Sequence, residues 1–175
     1  MRHMTKALLL MAALGVAACT NADRFSGDAG AGMFDANAGA NAGIIPGSAN
    51  DPASPAYFSQ TVGDRVLFAV DQSTLGPEAQ NTLNGQAQWL LTNSDYLAVI
   101  EGHADEQGTR EYNLALGARR ANSVMEYLIS RGVPASRLKF VSYGKERPIE
   151  ICSEEACYAK NRRAVTIISS GGLTS

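Results

Sequence analysis

Asp105 and Arg120 are the residues whose type and setting suggest chemistry. Arg120 falls in a stripe with Leu116, Val124 and Leu128 at i, i+4 spacing, where a core residue is expected. A buried guanidinium needs partners, because an unpaired buried charge is very costly. Asn113 lies two turns earlier on the same face, so Asn113, Leu116 and Arg120 form a line that is polar at both ends. Just before that helix runs Gly102-His103-Ala104-Asp105-Glu106-Gln107-Gly108-Thr109. Asp105 is thereby expected at the carboxyl edge of a strand and near a helix amino end, where α/β sheets commonly hold ligands. An acid and a base facing one pocket suit a zwitterion, with an ammonium on Asp105 and a carboxylate on Arg120. An internal Asp105–Arg120 salt bridge that only braces the loop accounts for the same residues. Spacing alone does not choose between the two.

Other constellations are sparser. His103-x-Asp105 lacks companions for a metal, since the chain holds only two histidines, and a loop-holding role is expected for His103. There is no Gly-x-Ser-x-Gly elbow and no phosphate loop. Asp105 and Glu106 are adjacent and should diverge, a poor hydrolytic acid pair. No catalytic residue, metal or cofactor is therefore assigned. Asn161-Arg162-Arg163 reads as a turn cap followed by two surface cations, and Arg119 joins Asn122 and Glu126 on a solvated face. Asp71 is a turn residue first and a pocket-rim candidate second. Cys152 and Cys157 are close enough in sequence for a local disulfide pinning the 144–160 loop, provided the chain is exported.

These residues need elements to position them. Arg65 to Val70 is β-prone. Gly76-Pro77-Glu78 opens a helix carrying Ala79, Leu83, Ala87, Leu90 and Leu91, which Thr92-Asn93-Ser94 stops. Leu97 to Gly102 reads as a strand. Thr109 can cap a long helix that Gly132 and Pro134 close. Leu138 to Tyr143 and Ala164 to Ser169 are further strands, with a short helix expected near 154–161. Alternating strands and helices imply an α/β sandwich, with helices packed on one small mixed sheet.

The chain has 175 residues, 45% hydrophobic and 18% charged, with a formal net charge of −2. That suits one ordinary domain and offers no basic excess for nucleic acid. The amino end differs from the rest. Arg2, His3 and Lys6 precede an apolar run from Ala7 to Val16, too short to span a bilayer but the size of a secretory core. It ends in Val16-Ala17-Ala18-Cys19, which resembles a bacterial lipobox. Residues 1–18 are thus expected to be a lipoprotein signal peptide, with Cys19 carrying N-acyl and diacylglycerol chains. Thr20 after the Cys implies outer-membrane sorting with the domain facing the periplasm. Residues 19–59 are rich in Ala, Gly, Asn and Pro and read as a flexible linker. About 40 residues would have a root-mean-square reach of roughly 35 Å and an extended reach of about 130 Å. The folded domain is expected over 60–170, with a loose tail at 171–175.

Gly102-His103-Ala104-Asp105, Gly108-Thr109, Tyr112-Asn113, Leu116-Gly117, Arg119-Arg120-Ala121 and Val124 resemble the peptidoglycan-binding signature of the OmpA-like carboxy-terminal domain. Val141-Ser142-Tyr143-Gly144-Lys145-Glu146-Arg147-Pro148 and Asn161-Arg162-Arg163-Ala164 match later segments of that domain. With the lipobox and linker, the chain resembles the lipidated, wall-associated members of this family that work with the Tol system.

The resemblance implies a βαβαβ(α)β domain and non-covalent binding of the peptidoglycan stem peptide at its diaminopimelate. It assigns Asp105 and Arg120 to the free amino-acid end of that residue. Asn113 and Leu116 would line the pocket, and Val70 and Asp71 its rim. Val70 stands where the family usually has an aromatic, and the Cys152/Cys157 loop is not general to it. Tol-system partners, chiefly the periplasmic TolB protein, and roles in envelope integrity and cell division are implied in the same way. The rivals are a stator-type or other wall-binding module outside that system, and an enzyme acting on peptidoglycan. The first would need an amino-terminal transmembrane helix. The second would need a nucleophile or a separated carboxylate pair.

Overall fold

The computed structural model describes residues 44–171. The expected signal peptide, Cys19, residues 20–43 of the expected linker and the tail from 172 lie outside the described residues. A four-stranded sheet comprises β1 (Arg65–Leu67), β2 (Tyr96–His103), β3 (Leu138–Gly144) and β4 (Arg163–Ser170). Its spatial order is β1-β4-β2-β3. β4 runs antiparallel to both β1 and β2, while β2 and β3 are parallel. The sheet is therefore mixed, as the sequence implied. Helix α1 (Pro77–Thr92) joins β1 to β2, α2 (Arg110–Ser130) crosses from β2 to β3, and the short α3 (Glu155–Asn161) precedes β4.

Local chemistry accounts for the helix ends. Pro77 occupies the first turn of α1, where its missing N–H costs nothing. Thr109 caps α2, its hydroxyl accepting the Tyr112 N–H. Gly132 takes the left-handed conformation after α2, where an L side chain would be strained. The core forms where Leu83, Ala87 and Leu90 of α1 and Ala121, Val124 and Leu128 of α2 meet Val66, Ala98, Ile100 and Ala164 of the sheet.

Two expectations change. The first strand ends at Leu67 rather than Val70: Phe68 makes a last backbone bond, donating its N–H to the Arg162 carbonyl, and the chain then turns over 69–72, where the Gln72 N–H donates to the Ala69 carbonyl. The packed region also starts before Gln60. Pro55–Tyr57 forms a helical turn that widens into a π-helical stretch over Phe58–Gly63. Phe58 is 1% exposed and packs edge-on against Trp89, ring centroids 4.9 Å apart. The Trp89 indole N–H donates to the Pro52 carbonyl at 2.7 Å. The polar composition around 44–57 hid one large aromatic, and burying Phe58 contributes about 2–3 kcal/mol.

Candidate binding site

The sheet's carboxyl edge is built by a close crossing of α2 over β2. A Cβ at Gly102 would lie 1.9 Å from the Gly117 carbonyl oxygen, so the two glycines let helix and strand touch. That contact brings Asn113, Leu116 and Arg120, all buried, over the end of β2. Beyond it lies a cleft of about 220 Å³ lined by Val70, Asp71, Asp105, Tyr112, Asn113 and Leu116, together with Gln107 and Gly108. Five predicted site residues besides Arg120 thus share one cavity. Tyr112 was not among them, although its place before Asn113 on the first turn of α2 gave the signal.

Asp105 and Arg120 are not bonded to each other. Arg120 is fully buried and donates to three carbonyls: Gln72 and His103 at 2.8 Å and Ala69 at 3.1 Å. Its guanidinium also lies 5.2 Å from the centre of the Phe68 ring. Burial lowers its pKa to about 10, opposed by nearby Asp105, so it stays charged at neutral pH. The direct bridge, one of the two readings of the sequence, is absent, because carbonyls of the 69–72 loop and the end of β2 take up the guanidinium. Arg120 lies behind the cleft rather than on its wall.

Asp105 finds its cation elsewhere. Arg162 Nη1 donates to Asp105 Oδ2 at 3.2 Å, and the Gln107 N–H donates to Oδ1 at 3.2 Å. This corrects the view of Asn161-Arg162-Arg163 as a cap with two surface cations. Arg162 and Arg163 are each 5% exposed and Asn161 is fully buried. Arg162 also donates to the Phe68 carbonyl and to Glu155. Burial would lower its pKa, but the hydrogen bonds it donates to Glu155 and Asp105 outweigh that and raise it. Arg163 donates to the carbonyls of Asn161 and Arg147. The Asn161 side chain accepts the Ile149 and Glu150 N–H groups and donates to Glu106.

On the rim, Asp71 is the one non-glycine residue with positive φ among the described residues, at +57°. Aspartate tolerates that region, and Arg120 holds the carbonyls on both sides of it. Asp71 accepts the Tyr112 hydroxyl, which raises the phenol's pKa. Val70 is 54% exposed at the mouth. Asn113 donates to the Asp105 and Gln107 carbonyls and fixes the loop from inside. His103 is buried at the end of β2, and burial, with Arg163 and Arg147 nearby, lowers its pKa to about 4. Cys152 and Cys157 are disulfide-bonded, their Cα atoms 6.0 Å apart.

Residues 67–162 match the OmpA family. A peptidoglycan-associated lipoprotein of Mesorhizobium japonicum is 47% identical, over 94% of this chain and 92% of that one. The crystal structure of the peptidoglycan-associated lipoprotein from Burkholderia pseudomallei superposes with a TM-score of 0.62 at 37% identity, covering 69% of this chain and 98% of that one. The C-terminal domain of Helicobacter pylori MotB shares the fold, with a TM-score of 0.58 at 23% identity over 62% of this chain and 86% of that one. The chain belongs to the OmpA family and, within it, to the peptidoglycan-associated lipoproteins.

Proposed function

We propose that this protein is an outer-membrane lipoprotein that grips peptidoglycan without a covalent bond, taking the diaminopimelate of the stem peptide into the cleft beside β2. The observation that carries this is the charge layout of the cleft. Asp71 and Asp105 line it, while the buried guanidinium of Arg120 stands behind the rim. A free amino-acid end carries both charges, and this layout complements both. The ammonium goes to Asp105, each of whose oxygens has a single donor here and keeps a lone-pair direction. Arg120 uses three of its five N–H groups on carbonyls and keeps two for the ligand carboxylate. Reaching them requires the Val70–Asp71 rim to yield. Leu116 and Val70 offer apolar surface to the methylenes between the two ends. The relatives are named for their association with peptidoglycan, which supports that polymer as the target.

The role is binding rather than catalysis. Lipid on Cys19 would hold the chain in the outer membrane, and the domain would hold the wall. Tol-system proteins, chiefly TolB, would compete for or cover this face.

The test is calorimetric titration of the full chain with a diaminopimelate muropeptide beside its lysine analogue, which lacks the side-chain carboxylate. Binding of the first and not the second supports the assignment. Binding of neither would leave the cleft a structural junction.

A further inference from the structure

The cation beside Asp105 is itself held from the far side. Arg162 is 5% exposed, yet its guanidinium is shared between buried Asp105 and Glu155, whose side chain is 66% exposed. Glu155 opens α3 and lies inside the loop that the Cys152–Cys157 disulfide closes. The other end of that segment is fastened too. Asn161 ties the Ile149–Glu150 backbone to the Glu106 carboxylate, one residue from Asp105. The disulfide hairpin, α3 and the Asp105-Glu106 loop are thus one hydrogen-bonded unit whose only contribution to the cleft wall is Asp105 and its neighbours.

We propose that Arg162 is a positioning residue for Asp105, braced by Glu155 and the Cys152–Cys157 hairpin, so that this hairpin tunes the grip on a ligand ammonium without touching it. The inference rests on the ligand reading of the cleft. Two effects act in the same direction. Arg162 and the Gln107 N–H fix the rotation of the Asp105 carboxylate, so a looser Arg162 leaves its free lone pairs less well aimed. Glu155 also offsets the charge of Arg162. Without Glu155, Arg162 would cancel more of the Asp105 charge and make the cleft less negative. Either change weakens an ammonium and not a neutral group.

The experiment uses the full chain with Glu155→Gln and, separately, C152S/C157S. Neither change touches the cleft, and Glu155 is exposed, so the fold should persist. Muropeptide affinity is measured by calorimetry, and the Gln107 amide, which donates to Asp105 Oδ1, is followed by NMR in the ligand-free chain. Both variants are expected to weaken binding about 3- to 10-fold, the usual scale for coupling through a packed network, and to shift that amide resonance. Unchanged affinity in both variants overturns the proposal. So does weaker binding with an unmoved Gln107 amide, since the effect would then act elsewhere. If the wild-type chain fails to bind the muropeptide, the ligand reading falls instead, and the Gln107 amide alone decides whether the clamp orients that carboxylate.

Discussion

Arg120 carries more of the architecture than its charge suggests. Its three carbonyl partners come from the 69–72 loop and the end of β2, so one side chain joins the rim to the sheet. Arg120→Ala would strand those carbonyls and open a cavity, and should cost about 3–5 kcal/mol of unfolding free energy in urea titration. Asp105→Ala removes the group proposed to meet the ammonium and leaves Arg162 with Glu155. It should weaken muropeptide binding by about 2–5 kcal/mol with a smaller loss of stability. Comparable losses of stability in both variants would refute that division of labour. His103 gives a pH prediction. Its folded pKa of about 4 lies below the usual 6.5, because burial and then Arg163 and Arg147 disfavour its charged form. Unfolding therefore takes up a proton between those values. The contribution to stability is complete above pH 6.5 and falls as pH drops towards 4, by at most about 3 kcal/mol. His103→Gln should flatten the acid side of the stability curve in that window, and a ring resonance titrating near 6.5 would show that the imidazole reaches water. The sequence made Arg120 legible because a cation interrupts an apolar stripe. It hid the partner of Asp105, because Arg162 is 57 positions away and an Asn-Arg-Arg run before a strand looks solvated. Only the antiparallel placing of β4 beside β2 brings it there.

At the scale of elements, the site depends on how closely α2 approaches the sheet. Helical periodicity told which face of α2 is buried, and the Thr109 cap told where it begins. Neither told how near it lies. Gly102 and Gly117 stand back to back at the crossing, and a Cβ on Gly117 would meet Ser142 Oγ at 2.4 Å. That hydroxyl is already committed to the Leu114 carbonyl at 2.6 Å, so it cannot swing aside freely. At Gly102 the added methyl would meet the Gly117 carbonyl oxygen instead, so Gly102→Ala should push α2 outward, carrying Asn113, Leu116 and Arg120 with it. The expected result is a loss of about 1–3 kcal/mol in urea unfolding, the range for overpacking, together with weaker muropeptide binding. An unchanged unfolding midpoint would mean that the crossing has slack and the cleft is not fixed by it. The glycines were visible in the sequence, but a glycine's neighbour across a packing interface follows from the register of two elements, which spacing along one chain does not contain.

At the scale of the whole molecule, the proposed anchor and the proposed grip lie on separate stretches of chain. Composition put their boundary near 59–60, and Phe58 against Trp89 moves the packed region earlier. A chain begun at Gln60 would expose Trp89 and lose the Pro52 contact, and should unfold about 3–5 kcal/mol more easily than one begun at residue 44, as for deletion of a core phenylalanine. The earlier boundary also bounds the reach that an anchor at Cys19 would have. The 24 residues between Cys19 and residue 44 extend at most about 80 Å, less than the 40-residue linker would allow. The lipid assignment is tested at Cys19, far in sequence from Val70, the first of the described residues that line the cleft. Among the described residues no helix is long and apolar enough to cross a membrane. The attachment proposed here is through acyl chains on Cys19, each buried methylene contributing about 0.8 kcal/mol. Cys19→Ser should move the protein from the membrane fraction to the soluble one while its muropeptide affinity stays that of the wild-type chain. Retained membrane association would place the anchor elsewhere in the chain. Release accompanied by weakened binding would mean that the membrane end and the wall-binding domain are coupled, and the tether would then transmit force rather than only limit distance.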